Sequence, residues 1–278
     1  MTGPTDAVLA TDQSVDLPVR VTRDAAARPA GAVPLVLHLH GGAFCGGGAA
    51  TSAVPGLLAE AGAVVLSAEY PLAPRHPFPD ALRLVFSALK GLARQRSRFA
   101  GRRAQLFIAG EEAGGNLAAS LALIARDQQM PQLAGQILLS PMLDPCLATT
   151  SIRGADAGPA GCKWADGWQS YLGQPGQASH PYAAPGQSQR LQGVAPALIV
   201  TAQDDPMRDE SLGYAARLRQ SGVPVREHVL AAPTAWPDAL GAPPAPAAAW
   251  PAALITQFTD FFADAAALLR RPAVHRFA

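Results

Sequence analysis

The sequence predicts an α/β protein: a mostly parallel central sheet with helices on both faces. Short, nearly uniform apolar runs at residues 33–39, 63–68, 106–109, 136–139 and 197–202 read as strands buried on both sides. Segments with helical spacing separate them, notably 80–94, with an apolar stripe at Leu82, Val85, Phe86 and Leu89. Strands alternating with helices imply βα units.

Taken in order, residues 1–14 read as a loose tail, and 16–22 (DLPVRVT) alternate as an edge strand does. Residues 24–31 are a turn or loop. The strand at 33–39 runs directly into His40-Gly41-Gly42-Ala43-Phe44, and Gly46 to Gly48 extend that loop. A helix over 52–61 ends at Gly62. Residues 69–79 are punctuated by prolines, which exclude regular structure. The basic tail of the next helix, 90–103, reads as a solvated face. Residues 145–193, rich in Gly, Gln and Pro, read as an irregular cap or excursion from a single domain spanning 1–278. A helix over 209–220, a strand over 223–230, an Ala/Pro/Trp-rich loop over 233–251 and a last helix over 252–269 complete the chain.

Composition narrows the function. With 49% hydrophobic and 15% charged residues the chain folds around a core, and a formal charge of +1 gives no reason to expect nucleic acid. Cys45, Cys146 and Cys162 match neither a disulfide framework nor a zinc site. His and carboxylate residues are scattered without ligand spacing, so no metal is expected. The two glycine-rich loops lack the dinucleotide and Walker patterns, so no cofactor is expected either. No leader and no 18-residue apolar span is read, which makes the cytoplasm the expected location and excludes a membrane span.

The stretch 106–120, LFIAGEEAGGNLAAS, is a strand, a glycine-rich corner and a helix, with Glu112 at the apex. Together with HGGAF (40–44), YPLAPRHPFPDA (70–81), SPMLD (140–144) and PALIVTAQDDPMRDE (196–210), it resembles the α/β-hydrolase superfamily, most closely its hormone-sensitive-lipase-like carboxylesterase branch. The resemblance implies an α/β-hydrolase fold with a reduced N-terminal cap. It implies an oxyanion hole from the backbone N–H groups of Gly41, Gly42 and Ala113. It puts the nucleophile position at Glu112, the triad acid at Asp205 and the triad histidine position at Thr234. On that reading the nucleophile serine and the histidine are replaced, leaving a degenerate triad.

A glutamate at this corner suggests a non-hydrolytic enzyme. Glu112 and Asp205 are the catalytic candidates, with Glu112 as general acid/base on a small carbonyl-containing substrate. Cyclisation, elimination, isomerisation or decarboxylation, a lyase or cyclase activity, would suit it. The alternatives are a catalytically silent ligand-binding pseudo-hydrolase or an unusual carboxylic-ester hydrolase using Glu112. Candidate pocket residues are His40, Phe44, Cys45, Trp164, Trp168, Tyr171, His180 and Trp236, with His228 read as a strand histidine. The expected partner is a small molecule, and the resemblance is compatible with a homodimer.

Overall fold

The computed structural model describes residues 3–13, 15–24, 26, 32–155 and 159–270. Its strands are β1 (Thr5–Leu9), β2 (Leu17–Arg23), β3 (Pro34–Leu39), β4 (Val64–Ala68), β5 (Gln105–Glu111), β6 (Gly135–Leu139), β7 (Ala197–Ala202) and β8 (Val225–Leu230). They form one sheet in the order β1-β2-β4-β3-β5-β6-β7-β8. The first two strands are antiparallel to their neighbours, and every later pairing is parallel.

The helices are α1 (Val54–Glu60), α2 (Asp80–Phe99), α3 (Ala113–Asp127), α4 (Thr150–Gly154), α5 (Pro159–Leu172), α6 (Arg208–Gln220) and α7 (Trp250–Arg270). Successive strand residues point to opposite faces, which splits the core in two. Leu35, Leu37 and Ile108 meet Val85 and Leu89 of α2 and Leu117 and Leu121 of α3. Val36, Phe107, Ile137 and Val200 meet Leu58 of α1 and Leu254 and Phe258 of α7. Phe107 also packs edge-on against Phe262, with centroids 5.0 Å apart. Each such buried side chain contributes roughly 1.5–3 kcal/mol through area removed from water.

The central strands lie where the apolar runs predict them, and helices cover both faces. Three elements differ from expectation. Part of the supposed tail is β1, which pairs with β2 from Thr5↔Val21 to Leu9↔Leu17 and buries Leu9. Helix α2 continues to Phe99 because its buried stripe continues through Leu92 and Phe99. The section 145–193 is not irregular throughout: it contains α4, α5 and two short 3₁₀ turns. In α5, Trp164, Trp168 and Tyr171 recur at i, i+4 and i+7 and are all buried. Most of the turn expected at 24–31 lies outside the described residues.

Parallel strands all present their C-terminal ends at one edge of the sheet. That edge carries the loop after β3, the corner after β5 and the turns after β6 and β7, and α5 packs over it through Gly167, where a Cβ would lie 2.4 Å from the Ala43 carbonyl oxygen. Among the described residues no helix is long and apolar enough to cross a membrane.

Candidate active site at the corner after the fifth strand

Strand β5 ends at Glu111 and α3 begins at Ala113, so Glu112 alone makes the turn, at φ 52° and ψ −114°. A side chain in this region costs about 1–3 kcal/mol of backbone strain. The surroundings hold it there. Its N–H donates to the Leu139 carbonyl at 3.0 Å, and its carbonyl accepts from Met142 N at 3.0 Å and Asn116 N at 3.2 Å. The turn closes only because glycines flank it: a Cβ on Gly114 would lie 2.0 Å from the Leu39 carbonyl oxygen, and one on Gly110 2.1 Å from that of Gly114.

The Glu112 side chain is 4% exposed, and four donors surround it. Oε2 accepts the N–H of Gly42 in a short hydrogen bond and that of Ala43 at 3.0 Å. Oε1 accepts the Trp164 indole Nε1–H at 2.6 Å and faces the Lys163 Nζ at 3.2 Å. Lys163 also reaches Asp238 at 2.8 Å. Burial works against the Lys163 ammonium, but the charges of Glu112 and Asp238 outweigh it and raise its pKa above the ordinary lysine value.

Behind the corner a second carboxylate fixes the loop. Glu111 Oε2 is 2.6 Å from His38 Nε2, and its Oε1 accepts the Gly41 N–H at 3.2 Å. The other ring nitrogen of His38 is 3.1 Å from Ser67 Oγ. With Gly41 turned toward Glu111, the amides that face the Glu112 carboxylate are those of Gly42 and Ala43. Gly42 adopts φ +115°, open to glycine, and Ala43 and Phe44 follow at φ 48° and 64°. Ala113 is fully buried at the start of α3. His40 stacks on Tyr70 with centroids 4.3 Å apart, and burial lowers its pKa.

Asp205 is 1% exposed. Its carboxylate accepts Ser140 Oγ at 2.8 Å, Thr201 Oγ1 at 2.5 Å and Met207 N at 2.8 Å. Burial raises its pKa, against these three hydrogen bonds. Thr234 bonds not to Asp205 but to the adjacent Asp204, through its N–H at 2.7 Å and its hydroxyl at 2.8 Å. Ala235 N adds a third donor to Asp204 at 3.1 Å.

A cavity of about 420 Å³ opens at the corner, with walls from Gly41, Gly42, Gly47, Thr51, Glu111, Glu112, Lys163, Pro237, Asp238 and Gly241. Larger clefts exist elsewhere, one of about 1020 Å³ beside Arg126 and Tyr182, while the corner cavity has Glu111, Lys163 and Asp238 converging around a strained apex. The candidate pocket residues divide around it. Trp164 touches Glu112 directly. Phe44 stacks on Tyr171 at 4.0 Å and leans on Trp168 at 5.1 Å, so these three rings fill the space on that side instead of lining an opening. Cys45 and Cys146 are exposed free thiols, and the Cys162 side chain lies outside the described residues. His180 lies in another cleft, against Phe78. Trp236 packs on Trp250 in the α1–α7 core, and His228 sits half-buried on β8.

Lys163, Asp238 and Ala43 belong to the site without having been singled out from the sequence. The i, i+4, i+7 spacing of Trp164, Trp168 and Tyr171 was the available signal for the helix that brings Lys163 in. Among the described residues, no three His, Cys, Asp or Glu side chains gather as metal ligands.

Residues 36–233 match the family described as the alpha/beta hydrolase fold. Carboxylesterase NlhH of Mycobacterium tuberculosis is 33% identical over 223 residues, covering 77% of this chain and 69% of NlhH. Esterase LipI of the same species is 32% identical over 203 residues, 70% of this chain but only 62% of LipI, so the match spans less than two thirds of that relative. Among solved structures, esterase LipW from Mycobacterium marinum superimposes with a TM-score of 0.79 at 33% identity, covering 94% of this chain and 82% of that one.

These likenesses correct the functional expectation. They are to proteins named as esterases, so a non-hydrolytic acid/base enzyme, lyase or cyclase loses its support. They equally remove the ground for setting the chain apart from the Ser-His-Asp hydrolases as a scaffold with a degenerate triad. Glu112 stands at the corner and Thr234 in the loop after β8, but loss of ester hydrolysis does not follow from those two residues. What the structure holds at this place is a strained corner, two loop amides on the Glu112 carboxylate and a buried Asp205 bonded to Ser140.

Proposed function

Because the chain belongs to the α/β-hydrolase fold family, we propose that it is a carboxylic-ester hydrolase in which Glu112 drives attack on the ester carbonyl. One observation carries this reading. A carboxylate sits on the strained apex, at hydrogen-bond distance from two loop amides and at the wall of a cavity.

In the resting geometry Oε2 occupies the Gly42 and Ala43 amides, so it must leave them before a substrate carbonyl can take its place. Oε1 remains anchored by Trp164 and Lys163 as Oε2 turns away. The freed carboxylate then takes a proton from a water molecule, and the hydroxide adds to the carbonyl carbon. The negative charge developing on the carbonyl oxygen falls on the two amides, where preorganised donors stabilise it without reorganisation. The tetrahedral adduct expels the alcohol oxygen, which receives the proton that Glu112 took. Asp205, tied to Ser140, Thr201 and Met207, holds the backbone beside the corner. The cavity, of about 420 Å³ and walled by Gly47, Thr51 and Pro237, suits short acyl esters.

The test is hydrolysis of p-nitrophenyl acetate and butyrate by the intact chain and by Glu112→Gln. The variant keeps the shape and loses the base, so kcat falls by about 10²–10⁴-fold. Equal rates in the two proteins, or no turnover by the intact chain on any short acyl ester, would refute the assignment. Intact-mass measurement during turnover separates attack by water from attack by the carboxylate itself, which would leave an acyl adduct on Glu112.

A further inference from the structure

We propose that the donors gathered around Glu112 form a binding site for a small monocarboxylate, with the Glu112 side chain as its built-in occupant. The site is complete on both oxygens. Gly42 N and Ala43 N serve one, and Trp164 Nε1 and Lys163 Nζ serve the other. Two of these donors come from the loop after β3 and two from α5, so the arrangement is not a by-product of the corner alone. In hydrolysis the substrate carbonyl uses only the amide pair, while Trp164 and Lys163 hold Glu112 Oε1. Trp164 and Lys163 complete a fork that matches the planar, two-oxygen shape of a carboxylate.

The surroundings set the ligand class. Beyond the donors lies the cavity of about 420 Å³, so an acid with a short carbon chain has room once Glu112 withdraws. Its walls place Asp238 on Lys163 at 2.8 Å and Glu111 behind Gly41. A second negative charge on the ligand would face those carboxylates, which favours monoacids over diacids. Glu112 is covalently attached and therefore competes at a high effective concentration. A free acid enters the intact protein only when Glu112 leaves. The site rests on the same pocket as the hydrolase reading but requires no turnover.

The experiment is calorimetric titration of sodium acetate into the intact chain and into Glu112→Ala. Removing the occupant frees the donors, so the variant binds acetate at least about tenfold more tightly, as expected for charge-assisted hydrogen bonds. Adding Lys163→Met to that variant removes most of the gain, and succinate binds more weakly than acetate. Glu112→Gly, relaxed at positive φ, carries the same test if the alanine variant fails to fold. In the intact chain the Trp164 indole N–H resonance shifts on acetate addition, with a midpoint at least about tenfold higher than in the variant. The proposal is overturned if the variant binds no better than the intact chain. It is also overturned if the double variant binds equally well, if succinate matches acetate, or if acetate leaves the Trp164 resonance unmoved. No ester is present in these titrations. A chain that binds acetate but hydrolyses nothing would therefore sink the hydrolase reading alone.

Discussion

Glu210 offers a sharp test of how the site is braced, because it is a half-buried carboxylate in the first turn of α6. It accepts the Leu143 N–H at 2.5 Å and the Asp144 N–H in a shorter bond, tying α6 to the segment whose Met142 N–H supports the Glu112 carbonyl. Burial pushes its pKa from the ordinary 4.5 up to about 8, with Asp144 and Asp205 adding to the rise and the two amides opposing it. The folded state therefore holds a proton that the unfolded chain releases near pH 4.5. Stability from this group is fully present below about pH 4.5 and is lost as pH rises through about 8. At about 1.4 kcal/mol per pH unit, the interval corresponds to a ceiling of roughly 5 kcal/mol. Relaxation and water entry reduce that to a few kcal/mol. Glu210→Gln keeps an oxygen acceptor for the two amides and removes the titration. In urea denaturation at pH 5 and pH 9, the intact chain should lose stability relative to the variant as pH rises. Parallel curves for the two proteins across that range would refute the reasoning.

Further predictions follow from local geometry. Asp204→Ala leaves Thr234 N, Thr234 Oγ1 and Ala235 N without their shared acceptor, which should cost about 1–3 kcal/mol and speed amide exchange at both residues. Burial raises the Asp204 pKa but its hydrogen bonds outweigh it and lower it, so its support should persist above the usual carboxylate range and fade in acid. Gly114→Ala drives a Cβ into the Leu39 carbonyl and should abolish soluble folded protein, whereas Gly213→Ala, on α6 with nothing within 4 Å, should raise stability by about 0.5–1 kcal/mol. Thermal melts read both, and a tolerated Gly114→Ala would mean the corner is looser than described.

The sheet was legible because parallel strands buried on two faces must be apolar nearly throughout, as at Leu35 to Leu39 and Ala197 to Ala202. Strand β1 was not, since Thr5–Leu9 lies on the sheet's edge and buries little beyond Leu9. The corner was legible from glycines whose missing Cβ atoms have a spatial reason at Gly110 and Gly114. Lys163 was not. Its role comes from packing an aromatic-striped helix over the strand ends, 51 residues along the chain from Glu112, and no local pattern encodes that distance. The choice between Asp204 and Asp205 was equally hidden. Adjacent carboxylates point apart, and only the turn after β7 decides that one meets Thr234 while the other meets Ser140.

The positive-φ residues carry a consequence for how substitutions distribute over the molecule. Ala43, Phe44, Glu112, Ser140 and Ala235 all adopt left-handed backbone in the loops at the strand ends, as do Gln129 and Leu147 elsewhere. Each holds strain on the order of 1–3 kcal/mol that the rest of the fold must balance. Glycine at these five points should release some of that strain, and valine or isoleucine should add to it. A survey of substitutions at these five points, scored only for folded protein, would therefore trace the strained loops around the corner, with no substrate in the assay.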